Sequence, residues 1–262
     1  MPVNHANIVP DWGGIQLKID SLRNDFTNGS GVIARNAIQI LRDASLVFPE
    51  KEQNKYLKSV AGQLLEAKPG MAATVNFMKV CLAKLENFTS AGSFLQFLSN
   101  LETRIEKASY ICVNSGLREL PLSDGISFIT CSFSSVVFNI AHQSKTKLKV
   151  LVLQSQWKDM DYGRIFYDRL RETGINSEYL ALTDVYDKTF GFALVGADAI
   201  LRNGSVINGK PSLELAERVK LKGIPLYVAG ESFKKCINIP LCEGFDLLPG
   251  KLIKKIITDD VF

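Results

Sequence analysis

Two stretches of the chain carry side chains that could bind a phosphate or move a proton. In the first, Cys131 and Ser132 follow a short apolar run, and Ser134 and Ser135 begin an apolar helical pattern. A Ser-rich turn between a strand and a helix offers a phosphate hydroxyls, free backbone N–H groups and the positive end of the helix dipole. The alternative interpretation is a well-capped helix, because serine is a preferred N-cap residue.

The second stretch begins at Gly196-Ala197-Asp198, directly after another apolar run. An aspartate at the end of a buried strand can act as a general acid or base, although many such residues only cap a turn. The following Asn203-Gly204 pair is a strong hairpin signal. That hairpin would bring Asn208 and Lys210 next to Asp198.

Bulk properties exclude several classes of function. The net charge of +4 comes from mixed acidic and basic residues, so no specific nucleic-acid surface is indicated. No apolar run is long enough to predict a membrane span. The five cysteines form no CxxC pair and Met1–Ile8 lacks an export pattern, which predicts reduced thiols in the cytoplasm. We expect no metal or cofactor, because the His, Cys and Asp residues lack ligand spacing.

The hydrophobic period changes along the chain. From about residue 12 to 107 the apolar residues recur every three or four positions, which predicts a helical bundle. From residue 109 short β-rich runs alternate with helical patterns, which predicts a mainly parallel sheet. The predicted fold is therefore α/β, with an N-terminal helical domain (1–107) and a Rossmann-like domain (108–262). The predicted strands are 110–113, 126–130, 150–153, 193–195 and 225–228.

The run GADAILRNGSVINGKPSLELAERVKLKGIPLYVAGESFKK, residues 196–235, resembles the signature of the initiation-factor-2B family. That superfamily includes regulatory subunits of initiation factor 2B and the methylthioribose-1-phosphate and ribose-1,5-bisphosphate isomerases. The resemblance continues through the 130–135 turn and to the closing segment around 245–259. It implies a sugar-phosphate pocket between the two domains, and association into a homodimer or larger homo-oligomer.

The resemblance also implies which residues would do chemistry. The isomerases use a Cys in a T-H-C-N-like turn together with the Asp of GAD, and Asp198 matches that Asp. Cys131 falls on the His position and Ser132 on the Cys position. A serine is a poor acid or base because its pKa is far above that of a cysteine. A shift of one residue in the turn would bring Cys131 into the role instead.

The phosphate contacts implied by the resemblance are altered. Gly29 lies where the isomerases carry an R-G-A/S-like loop, and Lys68 replaces the Arg of an R-P-T-A element, which keeps the charge but loses the bidentate fork. The E-T-R-P-like strand end reads Gln154–Trp157, without the acid and the Arg. Asn208 is retained from an N-K-x-G-T element, and Lys210 is displaced by one position.

Three functions stay open. The first is an initiation-factor-2B-related protein that binds a sugar phosphate or nucleoside monophosphate without catalysis. The second is a divergent aldose-ketose isomerase, an intramolecular oxidoreductase acting on a phosphorylated ribose. The third is an assembly subunit with an empty pocket, which would associate with other initiation-factor-2B-type subunits.

Overall fold

The structure, a computed structural model, describes residues 12–48 and 51–260. The prediction about Met1–Ile8 lies outside these ranges. Five helices come first, and strands and helices then alternate, so the predicted α/β fold class is confirmed. None of the helices in the described ranges combines the length and apolar character needed to cross a membrane. The helices are α1 Trp12–Arg23, α2 Ser30–Val47, α3 Gln53–Ala67, α4 Ala72–Glu86, α5 Ala91–Glu119, α6 Ser135–Gln143, α7 Tyr162–Glu172 and α8 Ser212–Leu221.

The apolar stripes of the first five helices pack into one core. Ile33, Leu41, Leu57 and Leu64 are fully buried in it, as expected for residues spaced on one helix face. Pro69-Gly70 separates α3 from α4. The helices therefore break where the sequence indicated a break.

Helix α5 corrects one sequence-based prediction. Residues 110–113 were expected to form a strand, but they lie inside this helix. Ala108, Cys112 and Gly116 recur every four residues on its buried face, and packing of that face outweighs the β propensity of the intervening residues. The predicted domain boundary at 107/108 also lies within α5, and the division into two domains stays a prediction.

A six-stranded sheet forms the centre of the second half, with strand order β12-β9-β6-β1-β2-β5. Every neighbouring pair in it is parallel. The chain places β2 and β5 on one side of β1, and β6 and β9 on the other. The strand order thus reverses between β1 and β6, and in open α/β sheets ligands bind outside the carboxyl ends of the strands at such a point. The six strands are β1 Ser127–Cys131, β2 Lys149–Leu153, β5 Ser177–Leu180, β6 Phe192–Val195, β9 Leu226–Ala229 and β12 Lys255–Ile257.

Two smaller sheets extend over the carboxyl edge of the large one. In the four-stranded sheet, β7 and β8 are antiparallel and their turn contains Gly204, with φ of +80°, so the hairpin predicted at Asn203-Gly204 is confirmed. The other sheet is a short hairpin. The strands are β7 Ala199–Leu201, β8 Val206–Gly209, β10 Lys235–Cys236 and β11 Phe245–Leu248 in the first, and β3 Gln156–Trp157 and β4 Met160–Asp161 in the second.

Candidate functional site

A cavity of about 250 Å³ lies where the strand order of the large sheet reverses. The helical half supplies the loop between α1 and α2 and the loop between α3 and α4. The α/β half supplies the residues that follow β1 and β6, the β3–β4 hairpin and a segment before β11. Both halves of the chain therefore form the walls.

The helical wall is organised around the carboxylate of Asp25. This carboxylate accepts hydrogen bonds from the backbone N–H groups of Thr27 and Asn28 and from both of their side chains, at 2.8–3.1 Å. Burial alone would raise the pKa of Asp25. The hydrogen bonds together lower the pKa by more than burial raises it, so the pKa lies below its ordinary value. The ordered loop ends at Gly29, the N-cap of α2, and no side chain caps this helix. The first amide groups of α2 therefore remain available to an anion at the cavity.

Lys68 provides a buried positive charge on the same wall. Its side chain lines the cavity, and its Nζ donates a hydrogen bond to the carbonyl oxygen of Asp25 at 2.7 Å. The ammonium also lies 4.3 Å from the ring centroid of Phe26. Burial lowers the pKa of Lys68, and the Asp25 carboxylate opposes that shift. Within the described part of the chain, Lys68 has no carboxylate oxygen within ion-pair distance, and its charge remains available at the cavity.

The turn after β1 places the two candidate acid/base residues, Cys131 and Ser132, in different surroundings. Ser132 lines the cavity, has a left-handed φ of 62°, and donates its backbone N–H to Ser155 Oγ at 2.7 Å. Cys131 is 1% exposed and packs with Ile129 in the core on the α8 side of the sheet. Burial raises the pKa of the Cys131 thiol, and Asp246 raises it further. Of these two side chains, the hydroxyl of Ser132 lies at the cavity and the thiol of Cys131 lies in the core.

Asp198 follows β6 and lines the same cavity as Ser132. Its backbone is fixed at both ends, because its N–H donates to Ile207 and its carbonyl accepts from Ala72 in α4. Burial raises the pKa of Asp198, while Lys234 and a hydrogen bond from Ser30 lower it. The net direction is upward, which is typical of carboxyl groups that act as acids or donate hydrogen bonds.

The other predicted site residues divide into two groups. Gly29, Lys68 and Lys210 line the cavity, and Lys210 Nζ lies 5.8 Å from the ring centroid of Trp157. Ser134 instead caps α6 by accepting a hydrogen bond from Val137 N, and Ser135 is the first residue of that helix. Asn208 is 5% exposed in β8, and its Nδ2 has no hydrogen-bond partner. The described residues that line the cavity do not include Ser134, Ser135 or Asn208.

Sequence reasoning missed part of the wall. Trp157 lines the cavity, and it could have been found because it follows β2 at the carboxyl edge of the sheet. Phe26 and Tyr162 also line the cavity, but neither lies in a recognisable motif. The segment 242–245 reaches the cavity because β11 pairs with β8 and Lys210 N donates to Gly244 O at 3.0 Å. That pairing leaves no local signal in the sequence.

The sequence matches the model of one known protein family over most of its length. The model of the "Initiation factor 2 subunit family" matches residues 27–244, which is most of the chain. The chain belongs to this family. The matched region includes most of the cavity lining on both walls, and the lining residues Arg23, Asp25, Phe26 and Phe245 lie just outside it. The superfamily resemblance inferred from residues 196–235 is therefore confirmed.

Proteins that are named for different functions resemble the chain. A "Putative translation initiation factor eIF-2B subunit 2-like" of Pyrococcus abyssi is 25% identical over 92% of this chain and 93% of its own length. A "Ribose 1,5-bisphosphate isomerase" of Archaeoglobus fulgidus is 22% identical over 82% and 70%. The crystal structure of the Pyrococcus horikoshii OT3 translation initiation factor eIF-2B has a TM-score of 0.84 at 21% identity, and covers 94% of this chain and 95% of its own. The last likeness establishes the fold.

Proposed function

We propose that the chain binds a small phosphorylated ligand, a sugar phosphate or a nucleoside monophosphate, in the cavity without turning it over. The observation that carries this proposal is the turn after β1, where Ser132 faces the cavity and Cys131 faces the core. A hydroxyl can donate and accept hydrogen bonds, but its high pKa makes it a poor partner for moving a proton between adjacent carbons.

The helical wall supports a phosphate as the anionic part of the ligand. Lys68 presents an ammonium without a carboxylate partner in the described residues, and the uncapped start of α2 at Gly29 presents backbone N–H groups. Both favour an anion, and the helix dipole adds to the attraction. Lys210 supplies a further positive charge at the exposed side of the cavity.

Ligand binding can be tested by thermal unfolding with ribose 5-phosphate, ribose 1,5-bisphosphate and AMP. A ligand at 100 times its Kd stabilises a protein by about 2.7 kcal/mol. We expect at least one probe to raise Tm, and Lys68→Met to reduce that rise strongly. Lys84→Met is the matched control, since Lys84 also lies over an aromatic ring, Phe97, but outside the cavity. An equal rise in Tm for both variants would contradict the proposed contact, and no rise with any probe would contradict ligand binding.

A second candidate is an aldose-ketose isomerase acting on a phosphorylated ribose. It is favoured by the placement of Asp198 in the cavity with a raised pKa, and by the isomerase relative. Following ribose 1,5-bisphosphate by NMR separates the two proposals. If a ketose product forms, and if Asp198→Asn abolishes its formation, the chain is an isomerase and the proposal of binding without turnover is wrong.

The third candidate is an assembly subunit, and the Pyrococcus abyssi relative is itself named as a subunit. We further propose that the chain forms a homodimer or larger homo-oligomer, can associate with other initiation-factor-2B-type subunits, and is cytoplasmic. Light scattering of the purified chain tests self-association. A monomer at all concentrations, with no response to any phosphorylated probe, would leave hetero-assembly as the remaining function.

A further inference from the structure

A buried serine lies behind the turn that follows β1. Ser155 comes two residues after β2, is 1% exposed, and is not among the described residues that line the cavity. The parallel pairing of β1 with β2 ends at Cys131 and Leu153. Beyond that pair, Ser155 Oγ accepts a hydrogen bond from the backbone N–H of Ser132 at 2.7 Å. A side chain therefore adds one hydrogen bond between the two chain segments where the strands end.

The hydroxyl of Ser155 acts on Ser132 only as an acceptor. A serine hydroxyl has one proton and two lone pairs. Ser155 Oγ donates its proton to the carbonyl oxygen of Leu153 at 2.9 Å. A lone pair then remains for the N–H of Ser132, and both distances are ordinary for hydrogen bonds in proteins. The direction of each hydrogen bond in this turn is therefore determined.

The start of α7 holds the backbone of Ser155 on both sides. The N–H of Ser155 donates to Asp161 Oδ1 at 3.1 Å, and its carbonyl oxygen accepts from the N–H of Tyr162 at 3.1 Å. Asp161 is the N-cap residue of α7, and its other carboxylate oxygen accepts from the hydroxyl of Tyr179 in β5. The acceptor that Ser132 meets is thus itself held by two further elements.

Gly209 leaves the space that the side chain of Ser132 occupies. The φ of 62° at Ser132 is unfavourable for a residue with a Cβ, so the turn needs support from its surroundings. A Cβ added to Gly209 of β8 would lie 2.5 Å from Ser132 Oγ and 3.2 Å from Ser132 Cβ. Both residues line the cavity. The hydroxyl of Ser132 is therefore confined between its own turn and the backbone of β8.

We propose that Ser155 is a positioning residue for ligand binding: its hydroxyl holds the left-handed turn at Ser132, which directs Ser132 Oγ to an oxygen of the ligand's sugar. The sugar is expected at this wall because Lys68 and the start of α2 attract the phosphate to the opposite one. Ser155 does not touch the ligand and acts through Ser132. This inference rests on the proposed function, since it concerns the same cavity.

A double-mutant cycle with Ser155→Ala and Ser132→Ala tests the positioning role. Isothermal calorimetry measures Kd for ribose 5-phosphate and for AMP. In the wild-type background, Ser155→Ala should weaken binding roughly three- to tenfold, the effect of losing one hydrogen bond. In the Ser132→Ala background no hydroxyl is left to direct, and the same change should alter Kd by less than about twofold.

The matched control is Ser177→Ala. It removes another buried serine hydroxyl, at the start of β5, whose Oγ has no hydrogen-bond partner among the described residues. This control should leave Kd unchanged. If Ser155→Ala does not fold, Ser155→Cys takes its place in the cycle, because a thiol fills the same site but is a weak acceptor.

Two results of the cycle overturn the inference. An equal loss of affinity in both backgrounds would mean that Ser155 supports the fold without directing the hydroxyl of Ser132. No loss in either background would mean that Ser132 keeps its place without Ser155. A loss confined to the background that retains the Ser132 hydroxyl supports the inference.

The inference and the proposed function fail in different ways. Hydrogen exchange of the Ser132 amide, followed by NMR on the free protein, reports its bond to Ser155 whether or not a ligand binds. If no phosphorylated probe binds but exchange is about tenfold faster in Ser155→Ala, the proposed function is wrong and the control of the turn by Ser155 is supported. If ribose 5-phosphate binds but exchange is the same in both proteins, the proposed function is supported and the inference is wrong.

Discussion

The two walls of the cavity differ in how their functional groups are supported. On the helical wall, Lys68 and Gly29 belong to loops that connect amphipathic helices, and their polar contacts are hydrogen bonds to nearby backbone. On the α/β wall, two backbone hydrogen bonds fix Asp198, whose pKa also responds to the buried pair Lys234–Glu231, and Ser132 has a left-handed backbone. The helical wall is therefore suited to attracting an anion. The α/β wall holds groups whose protonation and direction depend on the core around them.

The largest expected effect is a loss of folding stability when the buried ion pair behind the α/β wall is broken. Lys234→Met leaves the buried Glu231 without a counter-charge, and removing one partner of a buried ion pair typically costs about 3–5 kcal/mol. The free energy of unfolding in urea measures this loss. Lys18→Met breaks an ion pair with Asp43 whose lysine side chain is 52% exposed, and should cost at most about 1 kcal/mol. Similar losses in the two variants would contradict the distinction between the walls.

A second prediction concerns the close approach of α7 to β2. A Cβ on Gly163 would lie 2.0 Å from the carbonyl oxygen of Leu153, and backbone cannot move aside as a flexible side chain can. Gly163→Ala should therefore destabilise the protein by about 1–3 kcal/mol, and displace Tyr162 from the cavity. Gly62→Ala is the control, because its Cβ would meet nothing within 4 Å inside helix α3. The control should be neutral or stabilising in urea unfolding.

A third prediction separates the two ligand classes that the cavity could accept. Trp157→Ala should weaken the binding of AMP about tenfold or more if the base stacks on the indole, since stacking contributes about 1–3 kcal/mol per base. The binding of ribose 5-phosphate should change less, and Trp157→Phe should retain most AMP affinity. Isothermal calorimetry with both ligands measures the contrast. Equal losses for the two ligands would assign Trp157 a role in packing against Gly244.

The smallest expected effect concerns the turn after β1. Ser132→Gly removes the cost of a left-handed backbone at a residue with a side chain, and should stabilise the free protein by about 1 kcal/mol. The same change should weaken the binding of whichever probe raises Tm, because the hydroxyl is lost from the cavity. Urea unfolding and calorimetry give the two numbers. Loss of stability in Ser132→Gly would mean that the hydroxyl stabilises the empty turn.

The sequence predicts the large elements of the fold well, because their physical causes are local. The helical stripes of α2 and α3 and the apolar runs of β1 and β6 each reflect burial of one element. The error at residues 110–113 arose where packing of a long helix outweighed the β propensity of four residues. The direction of Cys131 follows from strand alternation, since it lies on the same face as Ile129.

The walls of the cavity are less predictable because they depend on contacts between distant segments. Asp198, Ser132 and Lys68 were found because they lie in motifs, and the structure brings all three to one cavity. Residues 242–245 reach the cavity because β11 pairs with the distant strand β8. Trp157 reaches it because the chain after β2 continues at the carboxyl edge of the sheet. Whether any of these residues contacts a ligand stays a prediction.

Helix α5 has a mechanical consequence for the cavity. At 1.5 Å per residue its 29 residues form a rod of about 43 Å, which begins in the helical core and ends against α6 on the face of the sheet. Because this one uninterrupted helix packs into both cores, we expect the backbone to have no hinge at that point. We therefore expect the cavity to keep a nearly constant width, so that a ligand would have to enter past exposed side chains of the lining such as Lys210 and Phe26.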